Sequence, residues 1–171
     1  FRVLIPSRNV SSHDQSPEMR AEEITERTLS AISEGGYDFV LVNYANSDMV
    51  AHTGNYDAGL EAIKVIDQQV GKLMKAILQT EGTLLITSDH GNAERMFDPK
   101  TGLKETKHDP NPIPIYIIRR GYERNKDDFD VNRIENESIG VLADVAPTVL
   151  ELMGIAKPEE MTGISLLNQL R

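Results

Sequence analysis

Four histidines punctuate the sequence, and three of them stand where they could do chemistry. Asp48 and His52 are spaced i, i+4, so a helical turn beginning at Asp48 would send both side chains off one face to grip one ion. Asp89 and His90 are adjacent and followed by Gly91, and at a sharp turn such neighbours point to different partners. His108 precedes a proline-rich run. Imidazole and carboxylate together suit Mn, Zn, Fe or Co. Three His and two Asp exceed the needs of one tetrahedral ion, so the natural reading is a two-metal centre. Taken singly, Asp-xxx-His is ordinarily a surface pair and Asp-His-Gly a capped turn; the weight lies in their concurrence. His13 has no acidic run or strand end before it, and with Ser11, Ser12 and Asp14 it reads as part of a structural turn.

The elements that must position these residues can be read from apolar spacing. Four β-like runs cover residues 2–5, 38–44, 83–87 and 113–118, and the middle two are nearly continuous apolar stretches, as in strands buried on both faces of a parallel sheet. Between them lie helical patterns. One starts at Ser16-Pro17-Glu18 and runs to about Ser33, before Gly35-Gly36. A second covers residues 56–79, with Ile63, Ile66, Val70, Leu73 and Ile77 on one face, and a third covers 139–153. Residues 122–137 are polar and charged and read as a solvated surface insertion. Strands alternating with helices predict an α/β domain, layered, with a mostly parallel central sheet flanked by helices. In such a sheet, residues just beyond the carboxyl ends of strands converge on the ligand crevice, which is where the Asp48 and Asp89 clusters fall.

The composition is that of a globular domain: 171 residues, 39% hydrophobic and 26% charged, enough for one domain with a real core. A net charge of −9 argues against a nucleic-acid or anionic-membrane surface, since both need clustered positive charge. It does not exclude an anionic small molecule, because a bound cation inverts the local field. The absence of cysteine removes disulfides and thiolate metal sites. No apolar run approaches the ~20 residues of a membrane span. The opening residues lack the pattern of a secretory leader, so a cytoplasmic protein is expected. The apolar run at 1–5 reads as a strand entered from an upstream segment.

These residues resemble a known family in detail. Asn43-Tyr44-Ala45-Asn46-Ser47-Asp48-Met49-Val50-Ala51-His52-Thr53-Gly54 resembles the Asn-Tyr-Ala-Asn-Pro-Asp-Met-Val-Gly-His-Thr-Gly motif of the cofactor-independent phosphoglycerate mutases. Asp89-His90-Gly91-Asn92 matches their Asp-His-Gly-Asn, and His108-Asp109-Pro110-Asn111-Pro112-Ile113-Pro114 is similar to their His-Thr-Thr-Asn-Pro-Val-Pro. Asp144-Val145-Ala146-Pro147-Thr148 and Glu160-Met161-Thr162-Gly163 resemble their C-terminal signature. The likeness runs in order along nearly the whole chain. Departures are Ser47 for Pro, Ala51 for Gly, Asn9 for Lys, His13 for Tyr and Asp109-Pro110 for Thr-Thr, and the 122–137 stretch is longer than usual.

The resemblance implies an alkaline phosphatase-like fold and two divalent ions, commonly manganese. It assigns Asp48, His52 and His108 to one ion, and Asp89 and His90 to the other together with residues of the family's N-terminal region. It implies interconversion of 3-phosphoglycerate and 2-phosphoglycerate through a phosphoserine, as in glycolysis, by an enzyme that is monomeric at full length. No Ser here occupies the family's nucleophile motif, so residues 1–171 are expected to be the C-terminal part of the metal-binding phosphatase domain, inactive alone, with the nucleophile upstream. The alternatives are another alkaline phosphatase superfamily member, such as a phosphopentomutase or metal-dependent phosphatase, and a non-catalytic metal-binding domain.

Overall fold

Apolar spacing marks where helices belong, and the computed structural model, which describes residues 1–170, has a helix near each marked place. The chain divides into two units: residues 1–80 with 90–113, and residues 81–89 with the stretch from 114 onward.

In the first unit a 3-10 turn, His13–Gln15, leads to α1 (Ala21–Glu34), α2 (Asn46–Ala51) and α3 (Tyr56–Ile77). Helix α1 starts later than Ser16 because that hydroxyl bonds the Glu18 carboxylate at 2.7 Å instead of capping a helix. It ends as expected, at Gly35 with φ 69°, a conformation in which a side chain would be strained. Helix α3 begins at Asn55, whose Oδ1 accepts the Ala58 N–H at 3.3 Å while its Nδ2 donates to Asp14 at 3.1 Å. Its inward face is rotated from the predicted one and shares Leu73 with it. Ala58, Ala62, Gln69 and Leu73 are buried, whereas Ile63 keeps 43% of its surface exposed. Small side chains explain the rotation: Ala58 and Ala62 allow α2 to press Val50 and Ala51 against α3, and Val50, Ala58 and Ala62 form the local core.

Two side chains fix α2 in place. Asn46, 1% exposed, donates through Nδ2 to the carbonyls of Pro17 and Glu18, both at 2.9 Å. Tyr44, just before it, shares a 2.7 Å hydrogen bond with the buried Thr25 hydroxyl of α1, and burial raises the Tyr44 phenol above its ordinary range.

The second unit holds β1 (Leu84–Thr87) and β2 (Ile115–Ile118), paired antiparallel with Leu84 opposite Ile118 and Thr87 opposite Ile115. It continues with α4 (Asp128–Asn136), a 3-10 turn Leu142–Asp144, α5 (Val145–Leu152) and α6 (Leu167–Leu170). Helix α4 lies in the stretch expected to be a solvated insertion; it is a surface helix, N-capped by Asp127, with Phe129 76% exposed. The helix expected over 139–153 is split, because Asp144 accepts the backbone N–H groups of Val141 and Ile164, each at 2.8 Å, and tightens the first turn. Thr148, fully buried, donates to the Asp144 carbonyl at 2.7 Å and accepts the Leu166 N–H at 2.9 Å. At Gly163 a Cβ would sit 2.0 Å from the Ala143 carbonyl oxygen, so only glycine fits.

A layered, mostly parallel central sheet is not seen among the described residues, where the one sheet is two-stranded and antiparallel. Residues 83–87 and 113–118 do supply its strands, but 2–5 and 38–44 form no ladder. Both runs are apolar and without regular secondary structure, with Leu4 78%, Phe39 53% and Leu41 83% exposed, and the Phe1 and Tyr37 rings lie 6.3 Å apart. Apolar content marks such segments for burial, but a strand also needs a neighbour for its backbone N–H and C=O groups, and among the described residues none is paired with them. No described helix is long and apolar enough to cross a membrane.

Asp144 yields a test. Its two backbone N–H partners hold its carboxyl below the ordinary range. Because the folded value is depressed, the carboxylate's contribution is complete above the unfolded value near ~3.9 and is lost as pH falls through the lower folded value. Urea midpoints measured downward from about pH 5 should therefore fall more steeply for the native protein than for Asp144→Asn, which is the less stable of the two at neutral pH.

Candidate metal centre

Helix α2 buries Asn46, Val50 and Ala51, which leaves Asp48 and His52 on its other face. The i, i+4 spacing works as expected: His52, at the C-cap in αR conformation, places Nε2 3.2 Å from Asp48 Oδ1. The loop from His90 to Ile113 brings two more imidazoles to the same oxygen. His108 Nε2 lies 3.5 Å from Asp48 Oδ1 and 3.2 Å from His52 Nε2. His90 Nε2 lies 3.9 Å from Asp48 Oδ1, and its ring stacks on His108 with centroids 3.7 Å apart.

That loop is held by its own backbone. The Asp109 N–H donates to the Gly91 carbonyl at 2.7 Å, which fixes His108 beside His90. The Asp109 carboxylate, buried, accepts from Arg95 Nη1 at 3.0 Å and from the Asn111 N–H at 2.9 Å. Asp109-Pro110 thus stiffens the turn after His108. His52 is oriented in the same manner: its Nδ1 lies 2.6 Å from the Thr106 carbonyl, and because a carbonyl only accepts, Nδ1 must carry the proton. In the neutral ring Nε2 of His52 is then the nitrogen that carries the lone pair, and it faces Asp48 and His108. A hydrogen bond from the far ring nitrogen to a carbonyl is the usual way a metal-binding imidazole is held.

Asp48, His52 and His108 offer donor atoms all within 4.8 Å of one another, the one such cluster among the described residues. Separations of 3.2, 3.2 and 3.5 Å define a triangle whose centre is about 1.9 Å from each donor, where imidazole and carboxylate keep about 2.0–2.2 Å from a zinc-sized ion. The donor separations therefore suit a divalent ion that the three residues would share, and all three side chains are partly exposed to solvent.

The other sequence-derived residues fall as follows. Asp89 is exposed and belongs to the second unit. His90 sits with the trio's rings. His13 lies in its 3-10 turn outside the cluster, and the neighbouring Asp14 carboxyl is held below its ordinary range by hydrogen bonds from Ser12 and then Asn55. Spacing missed Asn92, whose Nδ2 donates to Asp48 Oδ1 at 2.7 Å. The signal was available, since Asn92 closes the Asp-His-Gly-Asn string. The Thr106 contact is through backbone and left no mark in the sequence.

A model of the metalloenzyme superfamily matches residues 1–157. The chain belongs to the metalloenzyme superfamily. The matched range takes in Asp48, His52 and His108. The 2,3-bisphosphoglycerate-independent phosphoglycerate mutase of Clostridioides difficile is 44% identical over 168 residues, and that of Ehrlichia canis is 46% identical over 168 residues. Each match takes in 98% of this chain, and the chain spans 31% of each relative's length. A crystal structure of Leishmania mexicana phosphoglycerate mutase at low cobalt concentration superposes with a TM-score of 0.76 and 29% identity, over 94% of this chain and 30% of that one. The fold of these residues is thus that of a phosphoglycerate mutase, although the described strands do not by themselves make a parallel sheet.

Gly91 tests the loop geometry. A methyl there would lie 2.9 Å from the Asp109 carbonyl oxygen, a backbone atom that cannot move without His108, and 2.2 Å from Glu94 Oε1, which can swing away. Gly91→Ala should cost about 1–3 kcal/mol in a denaturant titration and also weaken divalent-ion binding.

Proposed function

We propose that the chain is the metal-binding, C-terminal part of the phosphatase domain of a phosphoglycerate mutase that interconverts 3-phosphoglycerate and 2-phosphoglycerate. The observation that carries the proposal is the convergence of Asp48, His52 and His108, within a chain 44–46% identical to enzymes of that name. The trio holds one divalent ion. Asp89 and His90 serve a second, with further donors from residues outside this chain. Both ions are manganese on this reading, which the mixed oxygen and nitrogen donor set supports without thiolate. A divalent ion at the trio supplies a Lewis acid that offsets negative charge on a phosphoryl oxygen.

The chain's own residues do the remaining work. Asp48 contributes the negative charge that makes the site select a cation. His52, with its proton fixed on Nδ1 by Thr106, keeps Nε2 free as a donor atom. His108 is held by the Gly91–Asp109 backbone bond and by stacking on His90. The partial exposure of the trio leaves access for an anionic group. The nucleophilic serine that takes the phosphoryl group lies, on this proposal, in the part of the longer relatives that the chain does not span. The apolar runs at 2–5 and 38–44 become strands of the parallel sheet when that part is present; their exposed Leu4, Phe39 and Leu41 support this.

Two measurements check the reading. Manganese titration of residues 1–171 should show saturable binding that His108→Ala weakens by about tenfold to hundredfold or more, and that His13→Ala leaves unchanged. Equal affinity in the two variants would remove the trio assignment. A coupled assay should show conversion of 3-phosphoglycerate, and not of pentose phosphates, by the full-length protein, and none by residues 1–171 alone.

A further inference from the structure

The further inference concerns Asn92, and it rests on the metal reading above. Asn92 is 4% exposed and immediately precedes the 3-10 turn Ala93–Arg95. Its Nδ2 donates to Asp48 Oδ1 at 2.7 Å, the same oxygen that faces His52 at 3.2 Å and His108 at 3.5 Å. Its own Oδ1 is buried and has no hydrogen-bond partner among the described residues. The amide cannot be turned round to relieve this. Reversed, it would set a carbonyl oxygen against a carboxylate oxygen at hydrogen-bond distance with no proton between them.

A buried amide oxygen without a partner calls for an explanation. Packing alone does not provide one, since an apolar side chain would fill space there with no polar atom to satisfy. What the amide does is direct an N–H at Asp48. A carboxylate oxygen has more than one lone-pair direction, and a carboxylate held by nothing else can rotate about its Cβ–Cγ bond. Asn92 takes one direction of Oδ1 and leaves another toward the imidazoles. Asn92 is itself held firmly. Its N–H donates to Glu94 Oε2 at 2.8 Å, its carbonyl accepts the Arg95 N–H at 3.0 Å, and Gly91 beside it is tied to Asp109.

We propose that Asn92 is a positioning residue for the metal site: its Nδ2–H fixes the rotation of the Asp48 carboxylate so that Oδ1 presents a lone pair to the ion shared with His52 and His108. It does not touch the ion. It couples the His90–His108 loop to helix α2, so that the two sources of donors are set in one geometry before an ion arrives.

The test is a manganese titration, read by the electron paramagnetic resonance of the free ion, on the protein and on Asn92→Leu, which keeps the branched heavy-atom skeleton and removes the donor. Asn92→Ser, too short to reach Asp48, takes its place if the leucine variant does not fold. Melting in EDTA reports folding of each variant separately. Removal of the amide should weaken manganese binding by about tenfold to hundredfold. In an Asp48→Ala background the same substitution should change the residual affinity by less than about twofold, because Asn92 acts only through that carboxylate. Unchanged affinity in the single variant, or an equal loss in both backgrounds, would overturn the proposal. His108→Ala separates the two claims. If it binds manganese as tightly as the native protein, the metal reading fails first; if it binds weakly while the Asn92 variants bind normally, only the role of Asn92 falls.

Discussion

Asp48 Oδ1 is met by one amide N–H at 2.7 Å and by three imidazole nitrogens at 3.2, 3.5 and 3.9 Å, and much of the first unit serves to hold those groups around it. A carboxylate in such a setting has lost part of its hydration and needs compensating positive charge or donors. The amide supplies one donor. With Nδ1 of His52 protonated by its carbonyl contact, Nε2 of the neutral ring offers a lone pair. On the proposed reading, a divalent ion shared by the trio would supply the positive charge that still has to be met.

Each donor reaches that point by ordinary means. Asn46 and Tyr44 anchor the segment leading into α2, and Val50 and Ala51 press it against α3. With that face buried, Asp48 and His52 have only the outward face to occupy. The loop donors depend on glycine at position 91, where the Asp109 carbonyl passes too close for any side chain. Asp109 then braces the turn through Arg95 and Asn111. The second unit has a comparable device at its C-terminal end, where Asp144, Thr148 and Gly163 tie a 3-10 turn, α5 and the residues after Gly163 together. The residues of that signature are therefore architectural.

The site was legible in the sequence because helical spacing is a strong constraint. Asp48 and His52 at i, i+4 can hardly avoid each other once a helix forms, and α2 forms. His108 was legible only through the family resemblance, since nothing local says that its loop folds back on α2. The contacts of Asn92 and Thr106 depend on that long-range closure. Helices α1 and α3 lay near their expected places, and Leu73 of the expected α3 face is buried, but the face is rotated because small Ala58 and Ala62 pack inward while bulky Ile63 does not. The sheet was the least legible part. Apolar runs at 2–5 and 38–44 look like strands whether or not a partner is present, and pairing is a property of the partner as much as of the run.

The central claim is that two imidazole nitrogens and one carboxylate of this chain bind a single ion. Pulsed electron paramagnetic resonance of the protein loaded with one equivalent of manganese measures this directly, through the coupling of imidazole nitrogens to the bound ion. The account predicts coupling to at least two histidine nitrogens, one lost in His52→Ala and one in His108→Ala. Bound manganese with no nitrogen coupling, or with coupling unchanged in both variants, would contradict it.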